Sequence, residues 1–397
     1  MIFRRVKAPA GLLALFSCLV LAWCVAAPSA QAGSGVPLAQ TSASNPLAGN
    51  GMWIWYVSRS HGGRIARIAK QARRARISHV LIKSSDAGKY WSQFNSGLVA
   101  ALHARGLKVC AWQFIYGDAP YAEAAAGARA VAQGADCLVL DVEGQYETKY
   151  ASADRFMRSL RASIGPDYPL ALASFPYADY HPSLPYSVFL GPNGAQYNLP
   201  QMYWRAIGTS VTTVFSHTLQ YNRPYGRAIM PLGQTYMNPK RKELLAFRRL
   251  SATNGDGGMS WWSWQSTTRS GWKALRKPVG PGPKLPLTYP TLKTGSKGDL
   301  VVWAQQHLAG AGLPQAINGT YYPSTAANMA SFQASHGLPA TGVLDATTWP
   351  TLLAVPPTYV AWGNAASSSR SAAGGASAPE SASLPSRNEF SPAAKRR

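Results

Sequence analysis

Acidic residues are scarce in this 397-residue chain, which has 16 Asp and Glu against 39 Lys and Arg and therefore a formal net charge of +23. An excess of this size favours a polyanionic partner, such as nucleic acid, an anionic membrane or a cell-wall polymer. The sequence also lacks a Walker loop and a GxGxxG motif, which disfavours nucleotide chemistry. Its seven His residues form no HExxH motif or comparable zinc-binding pattern, so we predict neither a metal site nor any other cofactor.

Aromatic residues are abundant, because the chain has 13 Trp and 19 Tyr, and it has no clusters of Lys. This composition is more typical of a protein that binds sugars than of one that binds DNA. The predicted partner is therefore peptidoglycan or a related anionic cell-wall glycan, and not nucleic acid. Hydrophobic residues make up 46% of the chain, which excludes a wholly disordered protein. The length allows one large domain or two ordinary ones.

The first 32 residues are typical of a secretory signal peptide. Three basic residues lie within the first seven positions, an uncharged apolar run covers residues 12–27, and Ala30-Gln31-Ala32 supplies a small-x-small cleavage site. We expect a mature chain that begins at Gly33, is secreted and cell-wall associated, is monomeric and has no stable membrane insertion. Because the apolar run approaches the length of a membrane span, an uncleaved anchor stays open as the alternative.

Two of the four Cys residues lie in this first segment, and Cys110 and Cys137 remain. Each of them falls in a predicted strand of the same parallel sheet. An exported protein can pair two such residues in a disulfide, whereas buried free thiols are equally ordinary. The sequence leaves both states open.

Eight apolar, β-branched or aromatic runs recur along the chain, and their starts are 27 to 33 residues apart. Helix-like stretches separate them, and this alternation predicts parallel strands joined by right-handed crossovers. Eight such units predict an α/β fold, a (β/α)8 TIM barrel over residues 51–277. An open doubly wound sheet is the competing interpretation. The predicted strands are Met52–Val57, His79–Ser84, Lys108–Ile115, Cys137–Val142, Leu170–Phe175, Leu199–Trp204, Arg227–Gln234 and Gly258–Gln265.

The composition changes on both sides of the predicted barrel. Residues 33–50 are expected to form a flexible linker before it. The Pro- and Gly-rich segment 278–290 cannot hold a helix or a central strand and predicts a semi-rigid linker after it. A small three-helix all-α domain is predicted at 291–355. The Ser-, Ala- and Gly-rich residues 356–397 are predicted to be a disordered tail.

The small domain carries a specific pattern. A Gly298-x-x-Val301-x-x-Ala304-Gln305-x-x-Leu308 stripe precedes a second helical stripe from Thr325 to Gln333 and a short helix from Thr348 to Leu352. This pattern resembles the peptidoglycan-binding-domain-1 family. The resemblance implies a three-helix module that docks the protein on the bacterial cell wall. We expect Phe332 and Trp349 to be core residues rather than ligand contacts.

In a TIM barrel the active site lies at the carboxyl ends of the strands, so these ends are where catalytic residues are expected. The fourth predicted strand ends with Asp141-Val142-Glu143, and the alternation of a strand directs both carboxylates towards the barrel axis. Two close carboxylates repel each other, which raises one pKa and keeps a general acid protonated beside an ionised partner. The alternative is that both cap the following loop or pair with Arg.

The other strand ends add polar and aromatic side chains, which suit a sugar because rings stack on its apolar faces and amides bond to its hydroxyls. Tyr203 is a further catalytic candidate. The candidate substrate-binding residues are Lys83, Asp86, Gln113, Gln201, Gln234, Trp261 and Trp264.

Two glycosidase families share part of this pattern. Asp141-Val142-Glu143, together with Ile82-Lys83 on the second strand, is similar to the muramidases of glycoside hydrolase family 25. That family also has an Asp at the end of its first strand, where this sequence has Trp53-Ile54-Trp55-Tyr56.

Asp141-x-Glu143, Tyr203 and Gly258-Met259-Ser260-Trp261 look like the chitinase-type family 18, whose further Asp is Val139 here. Both resemblances imply that Glu143 is the proton donor and that the substrate is an N-acetylhexosamine glycan. The family 18 resemblance implies in addition that Asp141 orients the substrate acetamido group, which acts as the nucleophile, and that Tyr203 hydrogen-bonds it.

Two functions therefore stay open. One is an exported, cell-wall-associated glycoside hydrolase of muramidase or chitinase type. The other is a non-catalytic carbohydrate-binding protein with a degenerate barrel. The paired carboxylates favour the enzyme, and the missing first-strand acid and Val139 favour the binding protein.

Overall fold

The structure, a computed structural model, describes residues 45–364. The predicted signal peptide lies outside the described residues, and so do positions 365–397 of the predicted tail. Within the described range, no helix is both long enough and apolar enough to span a membrane.

The strands follow the predicted spacing along the chain. They are β1 Gly49–Ile54, β2 His79–Asp86, β3 Lys89–Tyr90, β4 Lys108–Ile115, β5 Cys137–Val142, β6 Leu170–Ser174, β7 Tyr197–Pro200, β8 Ala228–Ile229, β9 Leu232–Gln234 and β10 Gly258–Trp262.

Helices alternate with these strands up to residue 275 and then continue alone. They are α1 Ile65–Arg74, α2 Ser96–His103, α3 Pro120–Ala132, α4 Tyr150–Ile164, α5 Tyr186–Phe189, α6 Trp204–Ile207, α7 Val211–Asn222, α8 Arg241–Asn254, α9 Arg269–Leu275, α10 Asp299–Gly310, α11 Pro323–Ser335 and α12 Trp349–Leu353.

The strands form one parallel sheet in the order β8-β7-β6-β5-β4-β2-β1-β10-β9, and β3 pairs antiparallel with β2. A parallel bridge between Gln201, the residue after β7, and Leu232 of β9 closes this order, because β8 and β9 follow each other along one strand of the barrel. The Met202 N–H also donates to the Leu232 carbonyl at 2.8 Å. The predicted TIM barrel is therefore confirmed. Its seventh strand is split into β8 and β9 around Pro231, which has no N–H to donate.

The barrel interior is lined by apolar side chains that alternate with outward-facing ones. Trp53 and Trp112 pack there with ring centroids 5.3 Å apart. Cys110 and Cys137 lie opposite each other in the β4–β5 register and form a disulfide with an S–S distance of 2.03 Å. Of the two states that the sequence leaves open, the structure has the disulfide.

The boundaries of the barrel differ from those predicted at both ends. Leu47 is buried and the Gly49 N–H donates to the Gly257 carbonyl, so the barrel begins inside the segment predicted as a flexible linker. The Pro- and Gly-rich segment after α9 lies along the barrel, since the Leu285 N–H donates to Asn254 Oδ1 at 2.8 Å. The prediction of disorder from residue 356 is wrong for its first part, because residues 356–364 pack on α4, where Tyr359 bonds to Asp154.

The C-terminal module contains the three predicted helices, α10–α12. Phe332 and Trp349 are buried, as expected of core residues. Gln305 Oε1 accepts from the backbone of Asn318 and Gly319, and Gln333 accepts from the next loop in the same way. The two glutamines of the sequence pattern thus hold the loops that follow their helices.

The module is fixed to the barrel through a buried carboxylate. Asp299, at the start of α10, is 1% exposed. Its Oδ1 accepts from the Tyr150 hydroxyl at 2.8 Å and from the Ser187 hydroxyl at 2.6 Å. Its Oδ2 accepts from the Ser187 N–H at 2.8 Å and from the Tyr225 hydroxyl at 2.9 Å. Burial nevertheless raises the pKa of Asp299 to about 6, because desolvation disfavours the charged form.

We expect Asp299→Ala to loosen this contact, because it leaves buried donors from the barrel without an acceptor. Each such donor costs about 1–3 kcal/mol, so the free energy of unfolding should fall by roughly 3 kcal/mol or more. Differential scanning calorimetry should show one transition for the wild type and separate melting of module and barrel for the variant. Asp299→Asn is the matched control, since its amide oxygen still accepts from the Ser187 N–H. An unchanged single transition in Asp299→Ala would contradict this role.

Candidate active site

The two carboxylates at the end of β5 are linked by one side-chain amide. Asp141 is 1% exposed, and Glu143 follows the strand and is partly buried. Gln201 Nε2 donates to Asp141 Oδ1 at 3.0 Å and to Glu143 Oε1 at 3.1 Å. The structure therefore brings together three predicted site residues at the carboxyl ends of β5 and β7, as the fold predicts.

The electrostatics of this group favour a protonated acid. Burial raises the pKa of Glu143, while the hydrogen bond from Gln201 and the charge of Lys83 act in the opposite direction without cancelling it. An acid with a raised pKa holds its proton to a higher pH, so Glu143 stays protonated at a higher pH than an exposed glutamic acid does.

Tyr203 lies between β7 and α6, and its side chain is 8% exposed. Burial, with Tyr236 and Glu143 nearby, raises its pKa well above 10, so its hydroxyl stays neutral and can donate a hydrogen bond. The Tyr203 and Tyr236 rings meet edge to face, with centroids 5.4 Å apart. Sequence reasoning missed Tyr236, although its place two residues after Gln234, at the end of β9, is a signal that could have found it.

On one side of the barrel mouth, the end at which the carboxyl ends of the strands lie, aromatic side chains surround Trp262. Its ring centroid lies 5.5 Å from Trp112, 5.7 Å from Trp53 and 5.8 Å from Trp55. The prediction named Trp261 instead, and this is wrong by one residue. Trp261 is fully buried on the outer face of β10, where its Nε1 donates to Asn50 Oδ1 at 2.7 Å. Strand alternation places its neighbour inside.

Three other residues that were predicted to bind substrate are buried in the structure. Gln113 is fully buried on the face of β4 that packs against Gly127 of α3, and it accepts from the Ser85 hydroxyl at 3.0 Å. Gln234 is also fully buried and accepts from the Arg205 N–H at 2.7 Å. Trp264 is 5% exposed. None of the three presents a side chain at an open surface of the mouth, so we do not retain them as substrate contacts.

Lys83 and Asp86 form an ion pair at the end of β2. The Lys83 side chain is 0% exposed, whereas that of Asp86 is 31% exposed. Asp86 Oδ1 also accepts from the Tyr116 hydroxyl at 3.1 Å. Asp86 is thus accessible to a ligand, and Lys83 lies beneath the surface, which corrects the prediction that Lys83 contacts substrate directly.

An open cavity of about 720 Å³ adjoins this ion pair. Its lining includes Asp86, Lys89, Trp91 and Gln93. Trp91 continues the aromatic surface, since its ring centroid lies 5.5 Å from that of Tyr56. The volume is within the usual range of ligand pockets. In the part of the chain that the structure describes, no group of three or more His, Cys, Asp or Glu side chains is arranged to hold a metal ion.

Residues 297–352 match the protein family described as "Putative peptidoglycan binding domain". The C-terminal module is thus similar to this domain family. Its matched range covers α10–α12, as the sequence pattern predicts. No curated protein matches the sequence significantly.

The barrel is similar to several solved structures at low identity. A chitinase from Chromobacterium violaceum is 11% identical over 58% of this chain and 98% of its own, with a TM-score of 0.46. A fungal endo-beta-N-acetylglucosaminidase from glycosyl hydrolase family 18 is 16% identical over 58% of this chain and 96% of its own, with a TM-score of 0.40. The modular autolysin LytC from Streptococcus pneumoniae is 13% identical over 38% and 37%, with a TM-score of 0.28. The strand order and the closing bridge, not these distant likenesses, establish the barrel.

We expect Gln201→Met to disturb the acid pair, because it removes the donor that both carboxylates share. Hydrogen bonding to a charged carboxylate lowers its pKa, so the pKa of Glu143 should rise further in the variant. Carbon-13 NMR titration of labelled Glu side chains measures this directly. Gln234→Met is the matched control, as it removes another buried amide from the barrel and should leave the Glu143 titration in place. Equal titrations in Gln201→Met and the wild type would show that the amide does not govern the pair.

Proposed function

We propose that the protein is a cell-wall-associated glycoside hydrolase that cleaves a glycan containing N-acetylhexosamine. The observation that carries the proposal is the pair Asp141 and Glu143, which share the amide of Gln201 at the carboxyl ends of the barrel strands. The peptidoglycan-binding domain on the same chain supports a cell-wall substrate.

In the proposed reaction Glu143 donates its proton to the oxygen of the leaving sugar. Its raised pKa supports this role, since the carboxyl must be protonated before the bond breaks. Asp141, which accepts from Gln201 through Oδ1, orients the substrate acetamido group in this proposal, and that group attacks the anomeric carbon as the bond to the leaving sugar breaks. Water then hydrolyses the cyclic intermediate and returns a proton to Glu143. The neutral hydroxyl of Tyr203 donates a hydrogen bond to the same group. Trp262 and Trp55 offer ring faces for the sugar.

Export is part of the proposal. The N-terminal sequence pattern supports a cleaved signal peptide, and the Cys110–Cys137 disulfide suits an oxidising compartment outside the cytoplasm. Once secreted, the chain carries its own binding domain together with a strong positive charge, and both favour retention on an anionic wall.

A non-catalytic glycan-binding protein is the second candidate. It is favoured by two positions in the barrel where the resembling families have acids, since Trp53-Ile54-Trp55-Tyr56 stands at the end of β1 and Val139 occupies the place of an Asp. The aromatic mouth and Asp86 suffice for sugar binding without a reaction. Activity and binding measurements on the same variants separate the two candidates.

We expect Glu143→Gln to abolish most hydrolysis while leaving the fold and glycan binding nearly intact. A general acid contributes about 10²–10⁴-fold, so turnover should fall by a factor in that range. Asp141→Asn should also reduce turnover, because it removes the charge beside Glu143 and the group that orients the acetamido. The measurement is mass spectrometry of fragments released from peptidoglycan and chitin oligomers.

Asp118→Asn is the control for this series, because Asp118 is 75% exposed and pairs with Lys149 at the surface. It should match the wild type, and circular dichroism should show that all variants are folded. Full activity in Glu143→Gln would refute the assignment of the acid. No activity in the folded wild type, together with retained glycan binding, would favour the non-catalytic candidate.

We expect the full chain to sediment with insoluble peptidoglycan at both low and high salt. Ionic attraction between exposed charges is strongly screened at about 1 M salt, whereas a specific domain contact survives. A pelleting assay at both salt concentrations measures the two contributions. If binding disappears at high salt, net charge alone explains it and the domain does not hold the protein on the wall.

A further inference from the structure

One sector of the barrel is built from segments without acidic residues. The sequence has no Asp or Glu at positions 1–85 or at positions 257–298. The first of these segments supplies β1 and α1, and the second supplies β10 and α9. Because β1 pairs with β10 in the closed sheet, the two segments are neighbours in the fold, although they lie at opposite ends of the barrel sequence.

Direct contacts join the loops that lead into α1 and α9. The Gln265 side chain donates to the Ser60 hydroxyl at 2.9 Å. The His61 and Trp264 rings meet edge to face, with centroids 5.7 Å apart, and Trp264 packs in turn on Trp272 of α9 with centroids 4.9 Å apart. The two helices therefore begin side by side on the outside of the barrel.

Each of these helices carries a stripe of exposed cations. The buried residues of α1 and of α9 lie on one side of each helix, which packs on the barrel. The cations recur one turn and two turns along the opposite side, at spacings of three, four and seven residues that place them on one face. We call this surface the basic face, and its members are Arg67, Lys70 and Arg74 of α1, Arg269 and Lys273 of α9, and Arg276 at the end of α9.

Folding does not account for this pattern. Like charges one turn apart on a helix repel each other, and a cation in the first turn, such as Arg67 or Arg269, opposes the helix dipole. Among residues 45–364, no ion pair includes a member of the basic face. The repulsion is therefore not relieved within this part of the chain, and a bound polyanion would relieve it.

The chemistry of the basic face favours a repeating phosphate over a membrane. Helices that lie on anionic membranes bury an apolar face in the lipid. The apolar sides of α1 and α9 pack on the barrel instead, and the large apolar side chains that are exposed in the described range all lie on other elements. Arg outnumbers Lys on the basic face, and the planar guanidinium fork binds two phosphate oxygens at once. Cations spread over about 10 Å of helix suit a linear chain of anions rather than one small ion.

We propose that the basic face binds a linear phosphodiester polymer carried by the cell wall, as a contact separate from that of the C-terminal module. The location of this polymer in the wall rests on the proposed function, whereas the recognition of repeating phosphates does not. Helices of a TIM barrel run back from the mouth along its outside, so a polymer bound to α1 and α9 leaves the mouth open to glycan.

Titration of the full chain with long-chain inorganic polyphosphate over a series of salt concentrations tests the proposal. Each phosphate contact that is lost lowers the slope of log K against log salt by roughly one. We therefore expect a slope smaller by roughly two in Lys70→Gln/Arg74→Gln, and also in Lys273→Gln/Arg276→Gln. The matched control is Arg129→Gln/Lys293→Gln, which removes the same charge from exposed positions outside the basic face and should keep the wild-type slope.

Equal slopes in all three double variants would overturn the proposal, because net charge would then explain the binding. Tighter binding of polyglutamate, duplex DNA or anionic phospholipid vesicles than of polyphosphate, lost in the same two helix variants, would overturn the assignment to a phosphate polymer of the wall. Circular dichroism checks that each variant is folded, and if one helix variant is not, the other decides.

Sedimentation with cell walls of the producing bacterium tests the location of the polymer. Hydrofluoric acid cleaves phosphodiesters, so treated walls should retain less wild-type protein than untreated walls, and this difference should shrink in Lys70→Gln/Arg74→Gln. Equal retention by both walls would overturn the assignment to the wall. Glycan hydrolysis should be the same in all these variants as in the wild type. A wild type that hydrolyses no glycan but shows the expected slopes refutes the hydrolase proposal alone.

Discussion

The backbone of Gln201 pairs with Leu232 where the barrel closes, and its side chain donates to both carboxylates at the end of β5. One residue therefore connects closure of the sheet with the geometry of the acid pair. The strand β6 lies between β5 and β7, so this amide reaches across a strand to hold the pair. A closed barrel has no free edge strand that can shift on its own, which keeps Gln201 in place. Burial raises the pKa of Glu143, and the amide held in this place opposes part of that rise.

The period of the apolar runs was sufficient to predict the barrel, and strand alternation was sufficient to place Asp141 and Glu143 on its inner face. The same alternation, applied from Ser260, indicates Trp262 rather than Trp261. Gln113 is different, because it lies between two inward-facing aromatic residues, and hydrophobicity does not tell which face of such a strand is inside. Predicting the disulfide would have required the register between β4 and β5. That register depends on the stagger of the closed barrel, which the sequence of the two strands alone does not determine.

The C-terminal module packs against the barrel and is not connected to it by the linker alone. Asp299 accepts four hydrogen bonds from the barrel, and Trp303 Nε1, one turn further along α10, donates to the Pro224 carbonyl at 2.6 Å. Residues 356–364 then cover α4 beside it. α10 is therefore buried on the barrel side as well as on its own core side, and any glycan contact of the module must come from its other surfaces. A module fixed in this way keeps a constant orientation to the barrel mouth.

The raised pKa values of Asp299 and Glu143 act in the same direction with pH. The folded state holds the proton of Asp299 up to about pH 6, whereas an unfolded aspartic acid releases it near pH 4. The stability from this group is therefore complete below about pH 4 and is lost as the pH rises through about 6. Glu143, whose pKa is also raised, must be protonated to act as an acid. The stability that comes from Asp299 and the protonated fraction of the proposed acid thus both rise as the pH falls, although the two carboxyl groups lie in different parts of the molecule.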